Sequence, residues 1–182
     1  MIRILFIFLV LLFNLSYAEE LQGKVEYNEE TARIEAFSDL ARKVPKDIFK
    51  NYLKDKYYKE NCENIKNKNY QILTEPMRNV NPFYAFNHFV LYSVEYEDDY
   101  SKTYYYNALG HLVKFEINDF AGNYPYRAIA YDRHGNVINI AFVVSMEEAY
   151  VFDKNEKLLG HWNDKKFFDK KGKIKNYTRI LE

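Results

Sequence analysis

The sequence predicts an α+β fold in which N-terminal helices pack on an antiparallel β-meander made of consecutive hairpins. Three observations carry this. Apolar residues recur at spacings of three and four before about residue 70 and alternate from Phe86 onward. The 18 tyrosines and 14 phenylalanines stand beside one tryptophan, and such residues favour pleated, half-buried surfaces. A short turn pattern recurs four times in the second half.

The chain opens "MIRILFIFLVLLFNLSYAEE": one cation at Arg3, an unbroken apolar run over residues 4–13, then a polar stretch ending Ser16-Tyr17-Ala18. That order of parts is a secretory signal peptide, with the cut expected between Ala18 and Glu19. Ten apolar residues fall short of the ~20 a membrane-spanning helix needs, so no stable transmembrane anchor is expected. Residues 19–182 are read as a single α+β domain, exported to the periplasm, cell surface or medium. Its lone thiol, Cys62, forms no internal disulfide, so stability comes from the core. Glu60 and Glu63 flank it, and nearby carboxylates raise a thiol pKa, which argues against a nucleophile.

Charge excludes one partner class. The 26 basic and 26 acidic residues balance, so no nucleic-acid footprint is present.

Between about residues 23 and 70 the chain reads as largely helical. "NEETARIEAFSDLARKV" places Ile34, Phe37, Leu40, Ala41 and Val44 at helical spacing, with Asn28 as cap, Glu29 and Glu30 in the first turn, and Pro45 as the stop. A hairpin pairing Val25 and Tyr27 with Ala32 and Ile34 is the alternative; the Ala, Glu and Arg content favours the helix. "KDIFKNYLKDKYY" reads as a second helix and "ENCENIKNKN" as a polar connector. "TEPMRNVNPFYAFN", with two prolines, reads as irregular chain. From Phe86 both faces of "FNHFVLYSVEY" are partly apolar, as in a central strand. "EDDYSK" then forms an acidic, solvated turn.

The hairpin part, about residues 86–182, repeats itself. "YNALGHLVKF", "YDRHGNVINI", "FDKNEKLLGH" and "FDKKGKIKNY" share an aromatic, Asn or Asp, two variable residues, usually Gly, a variable residue and an aliphatic. The side-chain oxygen of Asn107, Asp132, Asp153 or Asp169 can accept a backbone N–H two residues on. Gly110, Gly135 and Gly172 then take the left-handed position that closes a hairpin with a bulge. In the third copy Glu156 stands where glycine is expected, and Asn155 is the candidate for the left-handed residue with a shifted register. The lysine-rich last copy suits an edge hairpin.

At these residues the chain resembles the tyrosine-aspartate repeats of Rhs-type and other bacterial exported proteins, over about residues 104–180. The resemblance implies an antiparallel sheet of consecutive hairpins; in that class the repeats form long shells around a toxic cargo. "KTYYYNALGHL" is similar to the aromatic-glycine hairpins of choline-binding repeats, which build cation cages from several tryptophans. Here there is one, Trp162.

Function divides into three classes. The first is an exported noncatalytic binding or scaffold module that displays tyrosines to a cell-wall polymer, a glycan or an exported protein. The second is a small exported inhibitor or immunity-like partner. The third is a metal-dependent enzyme drawing on His88, His111, His134 and His161, whose spacing matches no ligand pattern. No elbow serine, zinc helix, phosphate loop or paired Cys motif is present, and no cofactor is expected.

Overall fold

The computed structural model describes residues 26–120, 122–164 and 166–175; the signal segment and its cut at Ala18 and Glu19 lie outside them. Among the described residues, eleven strands form one antiparallel sheet in sequence order. They are β1 (Gln71–Ile72), β2 (Arg78–Ala85), β3 (His88–Tyr96), β4 (Asp99–Asn107), β5 (Leu112–Asn118) and β6 (Tyr126–Asp132), then β7 (Val137–Val143), β8 (Glu148–Asp153), β9 (Leu158–Asn163), β10 (Lys166–Asp169) and β11 (Ile174–Lys175). One face of the sheet is covered by the N-terminal layer. Val80, Tyr92, Val94, Tyr104, Phe115, Ile140 and Phe152 are buried there with Ala32, Ala36, Val44 and Phe49 from the layer. The expected fold class therefore holds, with the charged last hairpin at an edge of the sheet.

The layer differs from expectation in three places. Helix α1 spans Glu29–Phe37 and stops well short of Pro45. Its Asn28 cap is as expected: Asn28 Oδ1 accepts from the Thr31 N–H at 3.0 Å. Its buried face is Ala32 and Ala36, small residues that let the helix lie close to β7 and β8, whereas Ile34 is mostly exposed. Second, residues 46–52 form two 3₁₀ turns, Lys46–Ile48 and Lys50–Tyr52, and helix α2 occupies Tyr58–Lys66, the stretch expected to be a polar connector. Tyr58, Cys62 and Ile65 do follow helical spacing, but the inward face also buries Asn61, a polar residue that hydrophobic periodicity cannot register. Third, "TEPMRNVNPFYAFN" supplies β2. Pro82 is tolerated within it because the Val80 N–H, two residues earlier, points to Tyr70; the Pro82 nitrogen lies on that same side, beyond the end of β1, where no ladder bond is lost.

What shortens α1 and the second helix is pairing with the hairpin turns. The Val44 N–H donates to Gly135 O at 2.9 Å and the Val137 N–H to Arg42 O at 3.2 Å, so residues 42–44 run extended. Likewise the Asp55 N–H donates to Gly110 O at 2.8 Å and the Leu112 N–H to Leu53 O at 3.0 Å. The layer thus crosses the strands in reverse order. Tyr27 lies over β7 and β8, α1 reaches β8, and α2 ends against β2.

This docking separates two glycines with the same backbone conformation. Gly135 (φ +82°) has no room for a side chain, since a Cβ would come 2.6 Å from Val44 O, whereas Gly172 (φ +70°) faces open space. Gly172→Ala should cost only the left-handed penalty of about 1–2 kcal/mol. Gly135→Ala should cost at least about 3 kcal/mol, because the docked segment must also shift. Urea denaturation of both variants decides it: equal losses would mean the contact at Gly135 contributes nothing.

Candidate functional site

The four repeat turns share one geometry. In the second copy, Asp132 Oδ1 accepts from the His134 N–H at 2.8 Å and from the Asn136 N–H at 2.9 Å. The Gly135 N–H closes the turn on Asp132 O at 2.9 Å. Asn107 accepts from Leu109 and His111, Asp153 from Asn155 and Lys157, and Asp169 from Lys171 and Lys173. The second acceptor bond, four residues on, goes beyond the sequence expectation. These residues are structural: they set the hairpins and point to no ligand.

The third copy corrects the expectation of a shifted register. Glu156 itself takes the left-handed conformation (φ 66°), and its N–H closes the turn on Asp153 O at 3.0 Å. Its carboxylate then meets Arg33 at 3.1 Å and Arg42 at 2.6 Å from the N-terminal layer. The ion pairs offset the backbone cost of a non-glycine residue at that corner.

The sequence-noted histidines do not assemble. His111 and His134 sit on different turns, and His161 stacks on Tyr150 at 4.3 Å and faces Glu148 at 3.2 Å. Among the described residues no group of three His, Cys, Asp or Glu side chains could hold a metal ion. Cys62 is half-buried, and burial is what pushes its thiol pKa up, with Asp55 adding to it. The flanking glutamates are not the cause.

A site does form where the layer meets β3 and β4. The chain turns at Asp55, a residue only 4% exposed. Asp55 Oδ1 accepts from the Tyr57 N–H at 2.8 Å; Oδ2 accepts from Asn61 Nδ2 at 2.9 Å and from the Tyr92 hydroxyl at 2.5 Å. Asn61 Oδ1 in turn accepts from Arg78 Nε at 2.8 Å. The buried Arg78 guanidinium also meets Glu60 at 2.9 Å and lies 4.5 Å over the Tyr57 ring. This connected network fixes the path of residues 51–57 above the sheet.

Beside it is a recess of about 190 Å³. Tyr52, Tyr57 and Tyr96 line it, Tyr106 is its deepest residue, and Asn51, Lys54, Lys56 and Asp98 stand at the rim with Pro76. Tyr52 is held in place by stacking on Tyr104, with ring centroids 4.1 Å apart. Tyr106 pairs with Tyr92 across β3 and β4, which draws it inward. Its hydroxyl is buried and has no hydrogen-bond partner. Burial pushes the Tyr92, Tyr96, Tyr104 and Tyr106 phenols far above their ordinary pKa, so all four remain protonated donors. The recess offers aromatic faces, donors and rim charges of both signs. It was not legible in the sequence because Tyr57, Tyr96 and Tyr106 come from separate segments and match no motif; the tyrosine run in "TYYYN", which puts Tyr104 and Tyr106 on one face of a strand, was the available signal.

Comparison with protein-family models, curated proteins and solved structures found no match.

Removing the network's acceptor should hurt more than removing one donor. Asp55→Ala leaves three donors unpaired and should destabilise the fold by about 3 kcal/mol or more, against about 1–2 kcal/mol for Tyr92→Phe. Guanidinium denaturation measures both, and an Asp55→Ala loss no larger than that of Tyr92→Phe would show that the network is not what positions residues 51–57.

Proposed function

We propose that this chain is an exported, noncatalytic binding module that takes a small polyhydroxylated ligand, a sugar unit of a glycan or wall polymer, in the tyrosine-lined recess. The observation that carries this reading is the Tyr106 hydroxyl, a buried donor left without a partner on a residue that lines the recess with Tyr52, Tyr57 and Tyr96. A buried, unsatisfied polar group costs about 1–3 kcal/mol, and a ligand hydroxyl that accepts from it recovers that cost on binding.

The rest of the recess fits the same chemistry. Tyr52, Tyr57 and Tyr96 offer ring faces and edges against which the C–H face of a sugar packs. Lys54, Lys56, Asn51 and Asp98 ring the mouth with donors and acceptors of both signs. The volume is below the ~300–1,000 Å³ of drug-sized sites, which limits the occupant to roughly one ring. Protonated phenols donate hydrogen bonds and do not act as bases, which favours recognition over turnover.

Calorimetric titration of the full chain with oligomers of N-acetylglucosamine and of glucose tests this. At least one series should bind, and Tyr106→Phe should weaken it about tenfold, the loss of roughly one hydrogen bond. The same substitution should leave thermal stability unchanged or raised, because it removes an unpaired buried hydroxyl. Tyr106→Phe with unaltered affinity, or no binding in any series, would sink the reading.

A further inference from the structure

We propose that the tip of the β2–β3 hairpin is a wedge that inserts into the interfacial zone of an uncharged, zwitterionic lipid bilayer. The first observation is backbone geometry. Ala85 pairs with His88, so the loop is the two residues Phe86 and Asn87, both left-handed at φ 49° and 64°. Such a turn is ordinarily built from Asn-Gly or Asp-Gly. Placing a phenylalanine there is unfavourable for the fold, and strain of this kind marks sites where function overrides stability.

The second observation is exposure. Phe86 is 97% exposed at the apex, and Phe83, Tyr84 and Val90 behind it are exposed at 43%, 55% and 40%. Phe86 thus caps the turn, and the exposed residues behind it lie on both faces of the hairpin, Phe83 beside Tyr105 and Tyr84 beside Phe89. The third is charge. Residues 79–94 contain no Asp, Glu, Lys or Arg, in a chain that is 29% charged. Of the repeat turns at the same end of the sheet, the last three carry Arg133, Lys154, Lys170 and Lys171 instead.

These features select the occupant. Ionised side chains are what the bilayer rejects most strongly, and aromatic rings are what its interface accepts. A hairpin without Asp, Glu, Lys or Arg for sixteen residues enters it with no fixed charge to desolvate, His88 being the one group in the run that can take up a proton. Its outer edge beyond β1 is also depleted of free donors, because Pro82 lacks an N–H on that side. A protein pocket would be a concave partner for the same wedge, but it would leave the long uncharged run unexplained. The run itself holds no Lys or Arg, and the cations at this end of the sheet, Arg133, Lys154, Lys170 and Lys171, lie three or more strands away, which points to neutral headgroups over anionic ones at the tip.

The test reads the tip itself, since residues 4–13 are apolar and would associate with lipid on their own. In the full chain carrying Phe86→Trp, emission is recorded with phosphatidylcholine vesicles, using the wild-type chain with its single Trp162 as background. The added indole should shift to the blue and be quenched by lipids brominated in the acyl chain. Adding Tyr84→Ser and Val90→Ser should raise the lipid concentration needed for half the response about tenfold. An emission spectrum that ignores vesicles overturns the proposal. So does a blue shift that follows protein concentration and not lipid, which would make the occupant a second copy of this chain.

Discussion

The placement of the N-terminal layer on the sheet rests first on two backbone hydrogen bonds that leave the hairpin turns: Val44 N–H to Gly135 O and Asp55 N–H to Gly110 O. A left-handed residue at the corner turns its peptide so that the carbonyl faces away from the hairpin, and at these two turns the N-terminal layer supplies the donor. The reciprocal bonds, from Val137 to Arg42 and from Leu112 to Leu53, make each contact a short piece of antiparallel pairing. A meander with one solvated face needs a cover for its apolar side. Here the cover is threaded onto the turns as well as packed on the rings, so its register along the sheet is set by hydrogen bonds and not by apolar contact alone.

That registration is what creates the recess. Docking at Gly110 places Asp55 under the layer, where its carboxylate gathers Tyr57, Asn61 and Tyr92. Asn61 extends the chain of bonds to Arg78 on β2. The tyrosine-rich strands β3 and β4 then contribute rings to the same region: Tyr92 and Tyr106 face each other 5.5 Å apart, and Tyr104 stacks on Tyr52. Of these hydroxyls, that of Tyr92 is satisfied by Asp55 while that of Tyr106 is not.

The legibility of this molecule in its sequence follows the range of the forces involved. Three of the four turns were readable because Asp132 and Gly135, or Asn107 and Gly110, interact within five residues, and the resulting geometry is local. The strands from β3 onward were readable from period two. The layer was not, because its shape is imposed from a distance: Lys43 and Lys54 pair with turns far along the chain, at Asn136 and His111. Local propensity at "RKVPKDIF" carries no trace of that. Helix α2 was hidden by Asn61, whose burial makes sense only once Arg78 and Asp55 are beside it. The recess was invisible for the same reason, being assembled from four separate stretches of chain.

Glu156 shows how the two ranges trade against each other. At that corner the local rule asks for glycine, and the chain supplies a residue whose Cβ makes the left-handed conformation unfavourable by roughly 1–2 kcal/mol. In exchange its carboxylate receives Arg33 and Arg42, while Arg42 also donates to Lys154 O at 2.7 Å and lies 5.3 Å over the Phe37 ring. At the first two turns the layer is captured through the glycine carbonyl; at the third it is captured through the side chain that replaced glycine. The departure from the repeat is therefore a second solution to the same problem, anchoring the layer to the end of a hairpin. The turn whose glycine faces open space, at Gly172, lies beyond the point where the described layer begins.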